Sequence, residues 1–388
     1  MSEGLKKLFY TLDREEFNKV VEGIKCNPDT RFFFKDMDRQ FFFLVDNEIS
    51  EKLIKLYQLT WGFDMVLNQF SEYGKNKIIE SFLVEEIKAS NGIENINSDR
   101  NDIFYVLKGG KNSRDKKSES LTKAYSMLKE GKAAGIETID DIRKTYDSLM
   151  EYCLNDDEKP DGRYFRKDAV SINDGISDID RGFYPEERII VGMEEFLNIY
   201  NDQNVNVMLR MILAHFILET VHPFYDGNGR LGRLLFSEGI YQGSKSNAAF
   251  VMAKIMEKRK GEYYHCFKEG RDTRQFGSLN RYVLLMCDLL INGLKEEIDS
   301  LTDKLVSVKL IQGNTKETGK VEAFMAEATV LSDFGCSVTE LMEACKVSRR
   351  TVAYEISRLK REDKLVSVQI GKTVYNRLKE NYITYKER

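Results

Sequence analysis

The chain has 388 residues, with 59 Lys and Arg against 63 Asp and Glu, a formal net charge of −4 and only three histidines. At 42% hydrophobic and 31% charged it is too apolar for a disordered chain, and its length predicts about two or three domains. The near-zero charge balance excludes a surface that is basic throughout, and three histidines exclude His-rich metal sites.

Six cysteines (Cys26, Cys153, Cys266, Cys287, Cys336, Cys345) with no CxxC spacing indicate neither a disulfide framework nor a zinc knuckle. The N-terminal stretch MSEGLKKLFYTLDREEF carries acids where a signal peptide is apolar, and no apolar run approaches about 18 residues. A cytoplasmic protein without a membrane partner is expected.

Only four prolines and a prevailing helical period predict a mainly α protein. Within residues 1–75, a helical and hairpin region, Phe32-Phe33-Phe34 and Phe41-Phe42-Phe43 flank the polar segment Lys35 to Gln40, which predicts a short hairpin with its phenylalanines in a core. From Glu51 to Ile93 apolar residues recur at helical spacing (Leu53, Ile54, Leu56, Tyr57, then Ile78, Ile79, Phe82, Leu83, Ile87) and fit two helices. Loops are predicted at Gly109 to Ser118 and Asn155 to Gly162. A β-hairpin is predicted between Arg163 and Pro185. Helices follow over Val205 to Val221, after Gly229, through Lys258 to Phe267 and over Leu279 to Ile298. The polar stretch Ile311 to Lys320 marks a linker, placed at 301–319 between a unit at 76–300 and another at 320–388.

Residues 222 to 233 read HPFYDGNGRLGR. Gly227 to Gly232 matches G-x-G-x-x-G, but a helix precedes it where a dinucleotide fingerprint needs a strand. Gly371-Lys372-Thr373 resembles the end of a phosphate loop, but Val366 stands where the first glycine belongs. Read physically, 222–233 is a helix stop, a tight turn and a new helix. Gly227 and Gly229 allow positive φ and close approach, and the amides opening the new helix form an anion cradle. Asp226 offers Mg²⁺ a hard oxygen. Arg230 and Arg233, at i and i+3, can both reach along a polyphosphate. His222 at the mouth of the turn suits a general base. Together these roles describe nucleotide phosphate chemistry.

With every fixed position matched, His222 to Arg233 resembles the signature of the Fic (Fic/Doc) family, HxFx(D/E)GNGRxxR, and the likeness covers roughly residues 80 to 295. The resemblance implies a Fic-type helical core with a β-hairpin flap, and transfer of AMP from ATP to a Ser, Thr or Tyr hydroxyl of a target protein or of the enzyme itself. By that carry-over His222 deprotonates the hydroxyl and Asp226 holds Mg²⁺ on the α- and β-phosphates. Asn228 with the amides of Gly227 and Gly229 holds the α-phosphate, and Arg230 and Arg233 bind the outer phosphates. Gly182, Phe183, Tyr184 and Pro185 resemble the flap, whose edge can pair with target backbone. Tyr263 and Tyr264 resemble the pair lining the adenine end, although Arg271 stands where an Asn is common. His215 and His265 are read as structural.

Ser90-Asn91-Gly92-Ile93-Glu94-Asn95 fits the family's inhibitory-helix motif S/T-x-x-x-E-G/N, in a helix at about 80–96. The resemblance implies that Ser90, Glu94 and Asn95 form a brake, with Glu94 pairing Arg233 where a γ-phosphate would sit; in some relatives this Glu also assists removal of AMP.

Over 320–388, Ser337 to Glu340 is a capping box, Ser348 can cap a second helix, and 365–370 with 373–377 read as a hairpin. The whole resembles a winged helix-turn-helix. Arg349, Arg350 and Arg358 are its candidate DNA contacts, and protein docking is the alternative use of such a module. A DNA-binding regulator with the Fic domain as sensor, and transfer of UMP or phosphocholine, remain open, as does a homodimer.

Overall fold

In the computed structural model, which describes residues 4–36, 39–111, 113–173, 178–313 and 319–383, helices dominate and the described strands form two short hairpins and one three-stranded sheet. Helices α1 (Gly4–Thr11) and α2 (Arg14–Lys25) lead into the hairpin of β1 (Arg31–Asp36) and β2 (Arg39–Phe43). The two phenylalanine runs lie on it, with Phe33, Phe34, Phe41, Phe42 and Phe43 buried and Phe32 exposed. Asp46 and Ser71 then cap α3 (Asn47–Leu67) and α4 (Glu72–Ile93), each accepting a backbone N–H of the first turn.

After α5 (Arg100–Leu107), α6 (Lys116–Lys129) and α7 (Ile139–Met150) comes the hairpin of β3 (Ser171–Asn173) and β4 (Asp178–Arg181). Then follow α8 (Glu186–Asn201), α9 (Val207–Val221), α10 (Asn228–Ser244), α11 (Met252–Lys258), α12 (Lys260–Arg271) and α13 (Asn280–Gly313). Thirteen of the fifteen residues of α9 are buried. A helix that is apolar on all sides must be surrounded, and α8, α10, α13 and α3 pack around it. The signature turn therefore leaves from the most buried helix of the molecule.

Two boundaries differ from expectation. The helix after the turn begins at Asn228 and includes Gly229. The predicted linker at 301–319 is helical up to Gly313, because Leu301, Leu305, Val308 and Ile311 keep the helical period and are buried; residues 314–318 lie outside the described residues.

The C-terminal part comprises α14 (Lys320–Leu331), β5 (Cys336–Ser337), α15 (Val338–Cys345), α16 (Arg349–Arg361), β6 (Leu365–Ile370) and β7 (Thr373–Leu378), with strand order β5-β7-β6. It packs on α4 and α5. Phe334 stacks on Phe104 at 3.9 Å and Tyr375 meets the same ring edge-on at 5.1 Å. Glu340 lies 2.9 Å from both Lys77 and Lys108, and Arg100 reaches Asp333 at 2.7 Å. Among the described residues no helix is long and apolar enough to cross a membrane.

Candidate active site

Helix α9 stops because His222 turns left-handed (φ 53°) and Pro223 follows. That backbone is unusual for a side-chain-bearing residue, and it is held from outside. The fully buried Arg166 donates from Nε to the His222 carbonyl at 2.9 Å and from Nη2 to the Phe183 carbonyl at 2.8 Å. Burial pulls the Arg166 guanidinium down to about 10, which leaves it charged. Sequence reasoning missed this residue, since an arginine after Tyr164-Phe165 looks like any surface cation.

The turn closes on itself through Asn228. Its Oδ1 accepts the Phe224 N–H at 2.9 Å and its Nδ2 donates to the Phe224 carbonyl at 2.8 Å. The side chain expected on an α-phosphate thus orders the loop that would bind it. Gly227 has φ 80°, and a Cβ there would strike the thioether of Met150. Gly229, expected to allow positive φ and close approach, is helical and uses only the second property, because a Cβ there would run into the Glu94 carboxylate. Asp226 stands half-exposed at the mouth, bonded by Arg230 Nη2 at 3.0 Å, while Tyr146 donates its hydroxyl to the Asp226 carbonyl at 3.0 Å.

Arg233 is buried and fully engaged. It donates from Nε to Ser90 Oγ at 3.1 Å, and from Nη2 to the Ser90 carbonyl and to Glu94 Oε1, both at 2.8 Å. Glu94 caps the end of α4, one turn beyond Ser90. Asn95 follows at φ 58°, a region that Asn and Gly tolerate best, and Lys260 Nζ reaches its side chain at 3.3 Å. Burial pushes the Glu94 carboxyl up, but Arg233 beside it outweighs this and holds it below the usual range. The same pairing keeps Arg233 cationic despite its burial.

For His222, burial first and then the nearby cations Arg271 and Arg166 pull the imidazole down to about 4, so it is neutral at physiological pH. Its Nδ1 lies 3.4 Å from the Glu219 carbonyl. With Nδ1 carrying the proton toward that carbonyl, Nε2 keeps a free lone pair. Burial pushes the Glu219 carboxyl up to about 7, and its Oε1 is buried without a hydrogen-bond partner.

His222, Arg233, Gly229 and Glu94 share a cleft of about 60 Å³ with Tyr264, Phe267 and Arg271, and Ile172 of β3 is on its wall. Small-molecule sites run to roughly 300–1,000 Å³, so the cleft, with the Glu94 carboxylate on its wall, is small for such a site. Tyr263, expected as a ligand contact beside Tyr264, also lines this cleft, and its hydroxyl lies 2.8 Å from His215 Nε2. Arg271 donates to the Glu219 carbonyl at 2.7 Å and lies over the Phe267 ring. His265 is exposed on α12.

Gly182, Phe183, Tyr184 and Pro185 form the root of the β3–β4 hairpin rather than its covering part. Phe183 is buried, donates its N–H to the Val221 carbonyl at 3.0 Å and packs edge-on against Phe34. Phe183 is thereby fixed in the core, while the paired strands are 171–173 and 178–181, and residues 174–177 lie outside the described residues. In the C-terminal part Arg349 and Arg350 are exposed. Arg358, expected beside them as a DNA contact, instead faces Glu322, Glu355 and Glu362, three carboxylates that tie it to its own unit.

Residues 137–238 match the model of the Fic/DOC family. The protein adenylyltransferase Fic of Drosophila melanogaster is 24% identical over 198 residues, 51% of this chain and 38% of its own length. That of Drosophila grimshawi is 28% identical over 95 residues, 24% of this chain and 18% of its own. The chain thus spans well under half the length of these curated relatives. A Fic family protein from Desulfovibrio desulfuricans G20 superposes with a TM-score of 0.52 at 17% identity, over 84% of this chain and 96% of that one, a likeness of fold.

Proposed function

Because the chain carries a Fic/DOC family domain, we propose that it transfers AMP from ATP to a Ser, Thr or Tyr hydroxyl of a protein, itself included, and that Glu94 restrains the reaction. The observation that carries this reading is a half-buried imidazole, kept neutral by desolvation and nearby cations, at the N-terminal side of α10 with two buried arginines on the same helix. His222 Nε2 takes the proton of the incoming hydroxyl, whose oxygen forms a bond to the α-phosphorus while the bond to the β-phosphate oxygen breaks and pyrophosphate leaves. The amides and positive dipole end of α10 stabilise the charge that builds on the α-phosphate. Arg230 and Arg233 hold the outer phosphates once their present carboxylate partners yield.

Mg²⁺ prefers one or two carboxylates plus substrate phosphates, and a half-exposed Asp226 at the mouth of the cradle fits that donor set. When bound there, the ion supplies neutralisation of phosphate charge.

Glu94 opposes ATP in two ways: it occupies the guanidinium of Arg233, and it sets a carboxylate where phosphate charge would be. Mass spectrometry after incubation with Mg-ATP tests both parts. Glu94→Gly is expected to gain an AMP adduct at least about tenfold faster than wild type, a barrier change of about 1.4 kcal/mol, and Glu94→Gly with His222→Ala is expected to gain none. No gain in Glu94→Gly would sink the brake, and an adduct seen only with UTP or a phosphocholine donor would sink the choice of AMP.

A further inference from the structure

The outer face of α16 carries positive charge that no carboxylate among the described residues neutralises. Arg349, Arg350, Lys360 and Arg361 are exposed, and among the described residues none of them pairs with a carboxylate. Most acids of the same unit are paired elsewhere, and Glu343, which is exposed, stands on α15 rather than on α16. Glu322, Glu355 and Glu362 surround Arg358, Glu340 lies between Lys77 and Lys108, Asp333 meets Arg100 and Asp363 pairs with Lys379. What remains outward on α16 is cationic, with Tyr354 61% exposed among the cations.

The spacing selects a partner. At about 100° per residue, Arg350, Tyr354, Ser357 and Arg361 fall within about 40° of one line along the helix. Eleven residues at about 1.5 Å each put Arg350 and Arg361 roughly 16 Å apart. The major groove of B-DNA is about 12 Å wide, so a helix laid in it would bring one pair of cations to each bordering phosphate strand and leave Tyr354 and Ser357 facing base edges. An anionic membrane would instead call for a large apolar face on the helix, and Tyr354 is the single large apolar residue exposed on α16. The turn between β6 and β7 faces the other way: Gly371 sits on the Tyr105 ring so closely that a Cβ would strike it.

We propose that the chain binds duplex DNA through the outer face of α16, without the β6–β7 turn. The proposal rests on the charge layout of the C-terminal part and does not depend on AMP transfer.

The test is fluorescence anisotropy of labelled random-sequence duplexes of about 30 base pairs, titrated with the full chain between about 50 and 200 mM salt. Four phosphate contacts predict a slope of log K against log salt of about −3 to −4, and Arg350→Gln with Arg361→Gln should reduce that slope by about 2 and weaken binding at least tenfold at the lower salt. If that pair fails to fold by circular dichroism, Arg349→Gln alone should reduce the slope by about 1. Lys372→Gln in the turn should leave it unchanged. The proposal is overturned by no binding at about 50 mM salt and 10 μM chain, by an unchanged slope in the α16 variants, by an equal loss in Lys372→Gln, or by binding to phosphatidylserine vesicles with none to the duplex.

Discussion

The base role proposed for His222 rests mainly on the desolvation of its half-buried ring. Burial is the largest cause of its depressed pKa and the charge of Arg271 the next, so the imidazole is unprotonated down to about pH 4. The acid limb of AMP transfer that belongs to His222 should therefore lie near 4 rather than near the ordinary imidazole value of about 6.5. Arg271→Gln removes a cation that disfavours His222 protonation, so the limb should move upward. The pH profile of self-modification in a Glu94→Gly background reads this out, and an unmoved limb would mean that His222 does not feel Arg271. At this scale the sequence was legible wherever chemistry and spacing coincide: His222, Gly227, Arg233 and Glu94 all lie within short motifs. Arg166 was not, because it acts on backbone carbonyls 17 and 56 residues away and has no local pattern. Asn228 was legible as part of the signature, but the bonds by which its amide orders the loop were not.

At the level of elements, the brake proposed for Glu94 depends on how α4 is seated. Glu86, Ser90 and Glu94 are spaced four residues apart and so share one face. Glu86 accepts the N–H groups of Ala253 and Lys254 at 2.8 and 3.0 Å, as well as Ser237 Oγ at 3.1 Å and the Tyr125 hydroxyl at 3.2 Å. It thereby fastens α4 to the start of α11 eight residues before the carboxylate that reaches Arg233. Glu86→Ala would leave two N–H donors unpaired, at about 1–3 kcal/mol each, and free the helix to shift. The expected result is a lowered melting temperature together with faster self-modification, and no further acceleration when the change is added to Glu94→Gly, because both act on one device. A destabilised variant with the wild-type rate would show that α4 keeps its seat without Glu86. The helices and hairpins were readable from periodicity and capping residues. The extent of α13 was not, because polar residues after Leu301 conceal a buried stripe that only packing reveals.

In the whole molecule, α4 joins two places that look unrelated in sequence. At about 1.5 Å per residue its 22 residues span roughly 33 Å. Its first half meets the C-terminal part through Tyr73, Gly74 and Lys77, and its last turn ends in the brake. Lys77 and Glu340 are 263 residues apart, so no sequence window could show the contact. Burial would raise the Glu340 carboxyl, but Lys77 and Lys108 overcome it and hold it down to about 2, so this joint stays ionised across neutral pH. Beside it, the Phe104–Phe334 stack and the Arg100–Asp333 pair grip α5, on the far side of Glu94. The C-terminal part thus holds both flanks of the segment that carries Glu94, and loosening it should loosen the proposed brake. Phe334→Ala removes a buried ring worth about 3–5 kcal/mol at this joint. Hydrogen exchange should then quicken in α4 and α5 as well as in α14 to β7, and self-modification with Mg-ATP should rise above wild type, with no increase over Glu94→Gly when the two are combined. Exchange that quickens in the C-terminal part alone, with α4 protected and the rate unchanged, would show that this part rides on the catalytic body without governing it.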